Sequence, residues 1–123
     1  MSNKNDLVAT AFGEYVQALT FYDALIVTDL FSWRPYKDSK DGVSLCRCSP
    51  HNEAYHDDLC AVLRGLRDVA SSLEFRFVFY EVQDDSSFGI PMDIIRVGMS
   101  ADFYTLLSQF LVEYMKSPSF HHK

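Results

Sequence analysis

Glycine and proline are scarce in this chain, with five and four residues, and no two glycines stand close enough to build a phosphate-cradling loop or a dinucleotide fingerprint. A G-x-S-x-G elbow and an H-E-x-x-H helix are missing as well, which excludes the familiar hydrolase and zinc-protease signatures. Cysteine is sparse: Cys46, Cys48 and Cys60 are odd in number and cannot close into a self-contained disulfide framework. No basic stretch followed by an apolar one opens the chain, and the longest nearly apolar run, residues 24–27, is far below the roughly 18 residues that span a bilayer. The expectation is reduced thiols, a cytoplasmic location and no membrane segment. Positive charge is also short, with 11 Lys and Arg against 17 Asp and Glu for a net charge of −6. That balance opposes nucleic-acid phosphates and favours a basic protein partner.

What is present is enough for one core. Hydrophobic residues make up 48% of the 123 positions, and a chain of this size buries enough surface to be stable without disulfides or metals. We read residues 1–123 as a single domain, with 117–123 as a flexible tail. Asn5 or Asp6 caps a first helix in which Val8, Phe12, Tyr15, Val16 and Leu19 recur at helical spacing. Ile26, Val27 and Thr28 are β-branched, so 24–31 reads as a strand, and a short strand at 33–36 is weaker. Residues 37–42 form a loop and 43–48 a further strand. Ser49 and Pro50 open a second helix over 50–71. Residues 74–83 and 92–99 pair as a hairpin across the polar turn at 84–87, and Ser100 caps a last helix that Pro118 stops. The fold class expected is α+β: an antiparallel sheet of four to five strands with three helices, in the order α-β-β(-β)-α-β-β-α.

The most chemical-looking stretch runs from Cys46 to Cys60. Soft sulfur and imidazole ligands of the kind zinc prefers fall within it. Cys46 and Cys48 share a strand face, and His56 and Cys60, one helical turn apart, meet them from the second helix if a metal is held. The plainer reading is that the thiols act as small hydrophobes, the histidines are solvated and no cofactor is needed. A thiol hydrolase using Cys48 or Cys60 with His51 or His56 needs a depressed thiol pKa, and Glu53, Asp57 and Asp58 oppose one.

Aromatic residues are abundant: ten Phe, seven Tyr and one Trp. Trp33, Arg34 and Tyr36 concentrate the side-chain types most common at binding hot spots. The alternative is that Trp33 and Tyr36 plug one end of the core. The closing helix, with Phe103 and Tyr114 on a wide apolar stripe, offers a second partner surface or a homodimer contact, against plain packing on the sheet.

The element order, and the succession within 77–115 of strand, acidic turn at Asp84 and Asp85, strand at 92–97 and long closing helix, resembles the chaperones of type III secretion systems. The resemblance implies a dimer that wraps an extended client along a groove formed by strands at 24–31 and 43–48 with the first helix. The function expected is a non-catalytic, protein-binding one, either an inhibitor or immunity-type antagonist or a secretion-type chaperone. The rival is a zinc-binding or thiol-dependent enzyme built on 46–60.

Overall fold

The computed structural model describes residues 4–39, 42–82 and 89–116. Helix α1 (Lys4–Ala18) and helix α2 (Phe21–Asp29) come first, followed by a 3-10 turn (Leu30–Ser32). Strands β1 (Arg34–Ser39) and β2 (Gly42–Pro50) lead into helix α3 (Glu53–Ser72). Strands β3 (Phe77–Val82) and β4 (Met92–Ser100) then lead into helix α4 (Ala101–Lys116). The fold is α+β, with one four-stranded antiparallel sheet in the order β1-β2-β4-β3.

The segment expected as a first strand is α2 instead. Thr20 caps it, its hydroxyl oxygen accepting from the Asp23 N–H at 3.0 Å. The Thr28 hydroxyl donates to the Ala24 carbonyl at 2.8 Å and is absorbed within the helix. Ala24, Val27 and Leu30, at offsets of three, are buried, so tertiary packing overrides the β preference of Ile26 and Val27. The groove implied by the secretion-chaperone resemblance therefore lacks its first strand. Lys4 already lies in α1, so Asn5 and Asp6 are inside the helix rather than at its cap. The expected 33–36 strand is real and longer, as β1.

Helix α3 starts three residues later than expected. Asn52, not Ser49, is its cap, with Oδ1 accepting from the Tyr55 N–H at 3.1 Å. The Ser49 hydroxyl accepts from Arg47 Nη1 at 2.6 Å, and Pro50 finishes β2 opposite Met92. At its other end α3 closes with Phe75 N–H bonded to Ala70 carbonyl and Glu74 N–H to Ser71 carbonyl. Glu74 takes the left-handed conformation, φ 62°, that this helix stop requires. Ser100 caps α4 as expected, its Oγ accepting from the Phe103 N–H. The turn at 84–87 and the tail at 117–123 lie outside the described residues.

Register decides which residues meet the helices. Leu45, Val97 and Phe79 lie across one sheet face in directly paired positions, as do Val43, Met99 and Phe77. Leu45, Val97, Met99 and Phe77 are buried, with α3 and α4 packed on the sheet and α1 against those two helices. Phe103 of α4 is the centre of this core, within 6 Å ring to ring of Phe12, Phe75 and Phe77, and Phe12 stacks on Phe110 at 5.1 Å. The intervening residues of each strand point to the other face, where Val78, Tyr80 and Cys48 are exposed.

Candidate functional sites on the two sheet faces

The covered face changes character at one end of the sheet. Along β3 the helix-facing positions read Phe77, Phe79, Glu81, and along β4 they read Met99, Val97, Ile95, Asp93. Hydrophobic residues thus give way to a carboxylate on each strand. The buried stripe of α3, carried by Leu63 and Leu59, continues toward the helix start through His56. His56 Nε2 lies 2.9 Å from Glu81 Oε1 and 3.6 Å from Cys60 Sγ, and its Nδ1 lies 3.6 Å from Asp93 Oδ2. Asp93 also accepts from His51 Nδ1 at 2.9 Å. His56, Cys60 and Glu81 each offer a ligand atom, all within 4.8 Å of one another. Beside them, Tyr22, Arg47, Ser49, Tyr55 and Asp93 line an open cleft of about 540 Å³, with the Arg47 guanidinium 4.6 Å above the Tyr55 ring.

Electrostatics follow from these contacts. Partial burial raises the Asp93 pKa, but the hydrogen bond and charge of His51, the Asn52 N–H and His56 outweigh it and hold the carboxyl below its usual range. His51 is pushed up by the hydrogen bond to Asp93 and then by that carboxylate's charge. The Cys60 thiol is pushed up by burial and then by Glu81, with Arg64 opposing, which is the opposite of what activates a cysteine nucleophile.

The four residues proposed as a zinc set do not come together. Cys46 and Cys48 do share a face, but it is the uncovered one, whereas His56 and Cys60 lie against the covered one. The sheet separates Cys48 from His51 in the same way, since His51 pairs with Asp93 on the helix side. The residues expected at a partner surface are divided. Trp33 is 6% exposed and Phe103 fully buried, so both are core residues. Arg34 is exposed, while the side chains of Tyr36 in β1 and Tyr114 in α4 lie outside the described residues.

Pattern reasoning missed Glu81 and Asp93. The signal that locates them is a carboxylate in the alternating register of a core-facing strand, one step beyond Phe79 and Ile95.

The other face, which no described helix covers, has its own order. Arg34 pairs with Cys46, Cys46 with Arg96, and Arg96 with Tyr80, so one residue from each strand forms a single row across the sheet. Ser44, Gly98 and Val78 form the row on one side, and Cys48, Ile94 and Val82 the row on the other. Arg76, just before β3, lays its guanidinium over Gly98 and Gly42 and donates from Nη2 to the Met99 carbonyl at 3.3 Å. Among the described residues of α1 to α4, no helix is long and apolar enough to cross a membrane. No protein-family model, no curated protein and no solved structure matches the chain.

Proposed function

We propose that this chain is a non-catalytic binding protein of the inhibitor or immunity type, whose uncovered sheet face receives an acidic surface of a folded protein partner. The observation that carries the reading is the row Arg34, Cys46, Arg96, Tyr80 with Arg76 beside it. In a chain of net charge −6 this face carries Arg34, Arg76 and Arg96 and, among the described residues, no carboxylate; Arg76 donates to the Met99 carbonyl and Arg96 and Tyr80 have contacts of their own within the chain, so the exposed Arg34 leads the contact with a partner. Arginine and tyrosine dominate interface hot spots, and Val78, Ile94 and Val82 supply apolar area around them.

Whole-chain charge favours a basic partner at a distance, but contact with this face selects carboxylates, which guanidinium groups bind in paired hydrogen bonds. A second copy docked through the same face would set like charges against one another, so a homodimer through it is disfavoured. A chaperone for an extended client is the less favoured form, because the segment meant to line its groove is helix α2.

The test places a photo-crosslinking phenylalanine derivative at Tyr80 in the native host, with the same residue at Tyr22 and Val112 as exposed controls on the helical side. Position 80 alone is expected to capture one protein. That partner, once purified, should bind in a salt-dependent way and lose at least about tenfold in affinity to Arg34→Glu. Capture from the control positions only, self-crosslinks only, or an Arg34→Glu variant that binds like the parent overturns the reading.

A further inference from the structure

We infer that the end of the covered face is a zinc site, with His56 Nε2, Cys60 Sγ and the Glu81 carboxylate as ligands and Asp93 as the outer carboxylate that orients His56. The inference stands apart from the protein-binding reading, since it concerns the opposite side of the sheet. It keeps two residues of the sequence-derived set and replaces Cys46 and Cys48 with Glu81.

Spacing supports it first. A tetrahedral ion with Zn–S of about 2.3 Å and Zn–N and Zn–O of about 2.0 Å separates sulfur from nitrogen by roughly 3.5 Å and nitrogen from oxygen by roughly 3.3 Å, so the exposed Glu81 carboxylate, 2.9 Å from Nε2, draws back by a few tenths of an ångström on binding. Cys60 Sγ and His56 Nε2 stand 3.6 Å apart. The one-turn offset of the two residues on α3 turns both inward, and β3 brings the carboxylate to the same nitrogen.

The second argument is a conflict in the site as it stands. A neutral imidazole has one N–H and one lone pair. With the proton on Nε2, the lone pair of Nδ1 faces Asp93, and Nδ1 is buried with no hydrogen-bond partner among the described residues. With the proton on Nδ1, the lone pair of Nε2 faces Glu81 at 2.9 Å. A cation held by Nε2, Sγ and the Glu81 carboxylate removes the conflict. Nδ1–H then points at Asp93, in the carboxylate–histidine–metal arrangement that fixes the ring of most metal-bound histidines. The competing account is that the three side chains make only hydrogen bonds to one another.

Ligand chemistry selects the ion. Thiolate with imidazole favours zinc, whereas magnesium and calcium prefer all-oxygen sets. Three protein ligands leave a fourth position, and it opens on the solvent side, because the Glu81 side chain is 61% exposed while those of His56 and Asp93 are 17% and 15% exposed.

The experiment titrates the chelator-stripped full chain with Co²⁺ and then Zn²⁺. One cobalt ion per chain is expected, with a near-ultraviolet thiolate charge-transfer band, intense four-coordinate visible bands, and displacement by zinc with a rise in Tm. Cys60→Ser should abolish the charge-transfer band, while the double variant Cys46→Ser/Cys48→Ser keeps it. Glu81→Gln, at a largely exposed side chain that does not threaten the fold, should weaken zinc at least about tenfold, and Asp93→Asn by roughly 10- to 100-fold. The site is refuted if no thiolate band forms, if the band survives Cys60→Ser or vanishes in the double variant, or if Glu81→Gln binds zinc like the parent.

Discussion

Leu45, Val97 and Phe79 lie across one face of the sheet, and one residue further along their strands Cys46, Arg96 and Tyr80 lie across the other. The first row is under the helices and apolar, while the second is cationic and partly exposed. A one-residue slip of register would exchange them, burying Arg96 and exposing the core, so the covered row specifies the fold. The uncovered row plays no part in closing that core. Its side chains instead make polar contacts at the surface, such as the Arg76 guanidinium on the Met99 carbonyl, and under the binding reading the same row is what a partner meets.

Removing a side chain from each face tests that division most directly. Phe103→Ala empties the centre of the aromatic cluster and should destabilise the protein by about 3–5 kcal/mol in urea unfolding. Tyr80→Ala, at a residue 47% exposed that keeps a contact of its own, should cost no more than about 1 kcal/mol. If Tyr80→Ala cost as much as a core truncation, the face would be covered and the comparison would collapse. Next in size is Gly42→Ala, because a Cβ there collides with the Met99 carbonyl and the Arg76 guanidinium. A loss of about 1–3 kcal/mol is expected. Gly98→Ala meets only Arg76 Nη1 at 3.3 Å and a Val78 methyl at 3.5 Å, both side-chain atoms that can yield, so its effect on the urea midpoint should be smaller.

Much of this division was legible in the sequence. The apolar stripes of α3 and α4 and the alternation of β3 and β4 each identified an element and, for the hairpin, its partner. Helix α2 was not legible, since Ile26, Val27 and Thr28 carry strand propensity that burial of Ala24, Val27 and Leu30 overrides. On β2 alternation correctly placed Cys46 and Cys48 together but gave no reason to choose a face, because Val43, Leu45, Arg47, Ser49 and Ser44, Cys46, Cys48 are both mixed sets. Half of the His/Cys cluster followed from the spacing of His56 and Cys60. The other half depends on Glu81 and Asp93, which only the sheet register brings to α3.

The start of α3 gives a smaller test of how the covered side is built. Asn52→Ala removes the cap and should cost about 1 kcal/mol, whereas Ser49→Ala, the cap that the sequence suggested, should have at most about half that effect. Urea midpoints that rank the two the other way would put the helix start back at Ser49.

The smallest expected effect is electrostatic and confined to the carboxylate end of the covered face. Asp93 titrates below its ordinary 3.8 and His51 above its ordinary 6.5, each because of the other. The Asp93 contribution to stability is complete above 3.8 and is lost as pH falls through the lowered folded value. The His51 contribution is complete below 6.5 and is lost as pH rises through the raised folded value. Both are present between these limits, so the urea midpoint of the parent should exceed that of His51→Ala most between about pH 4 and pH 6.5, with the gap closing on either side. Because the His51 side chain is 48% exposed, salt should shrink the gap. Measured in chelator, a difference that stays flat from acid to alkaline pH would mean that the pair adds no stability. The carboxylate end of the covered face would then differ from the aromatic end in adding nothing to folding.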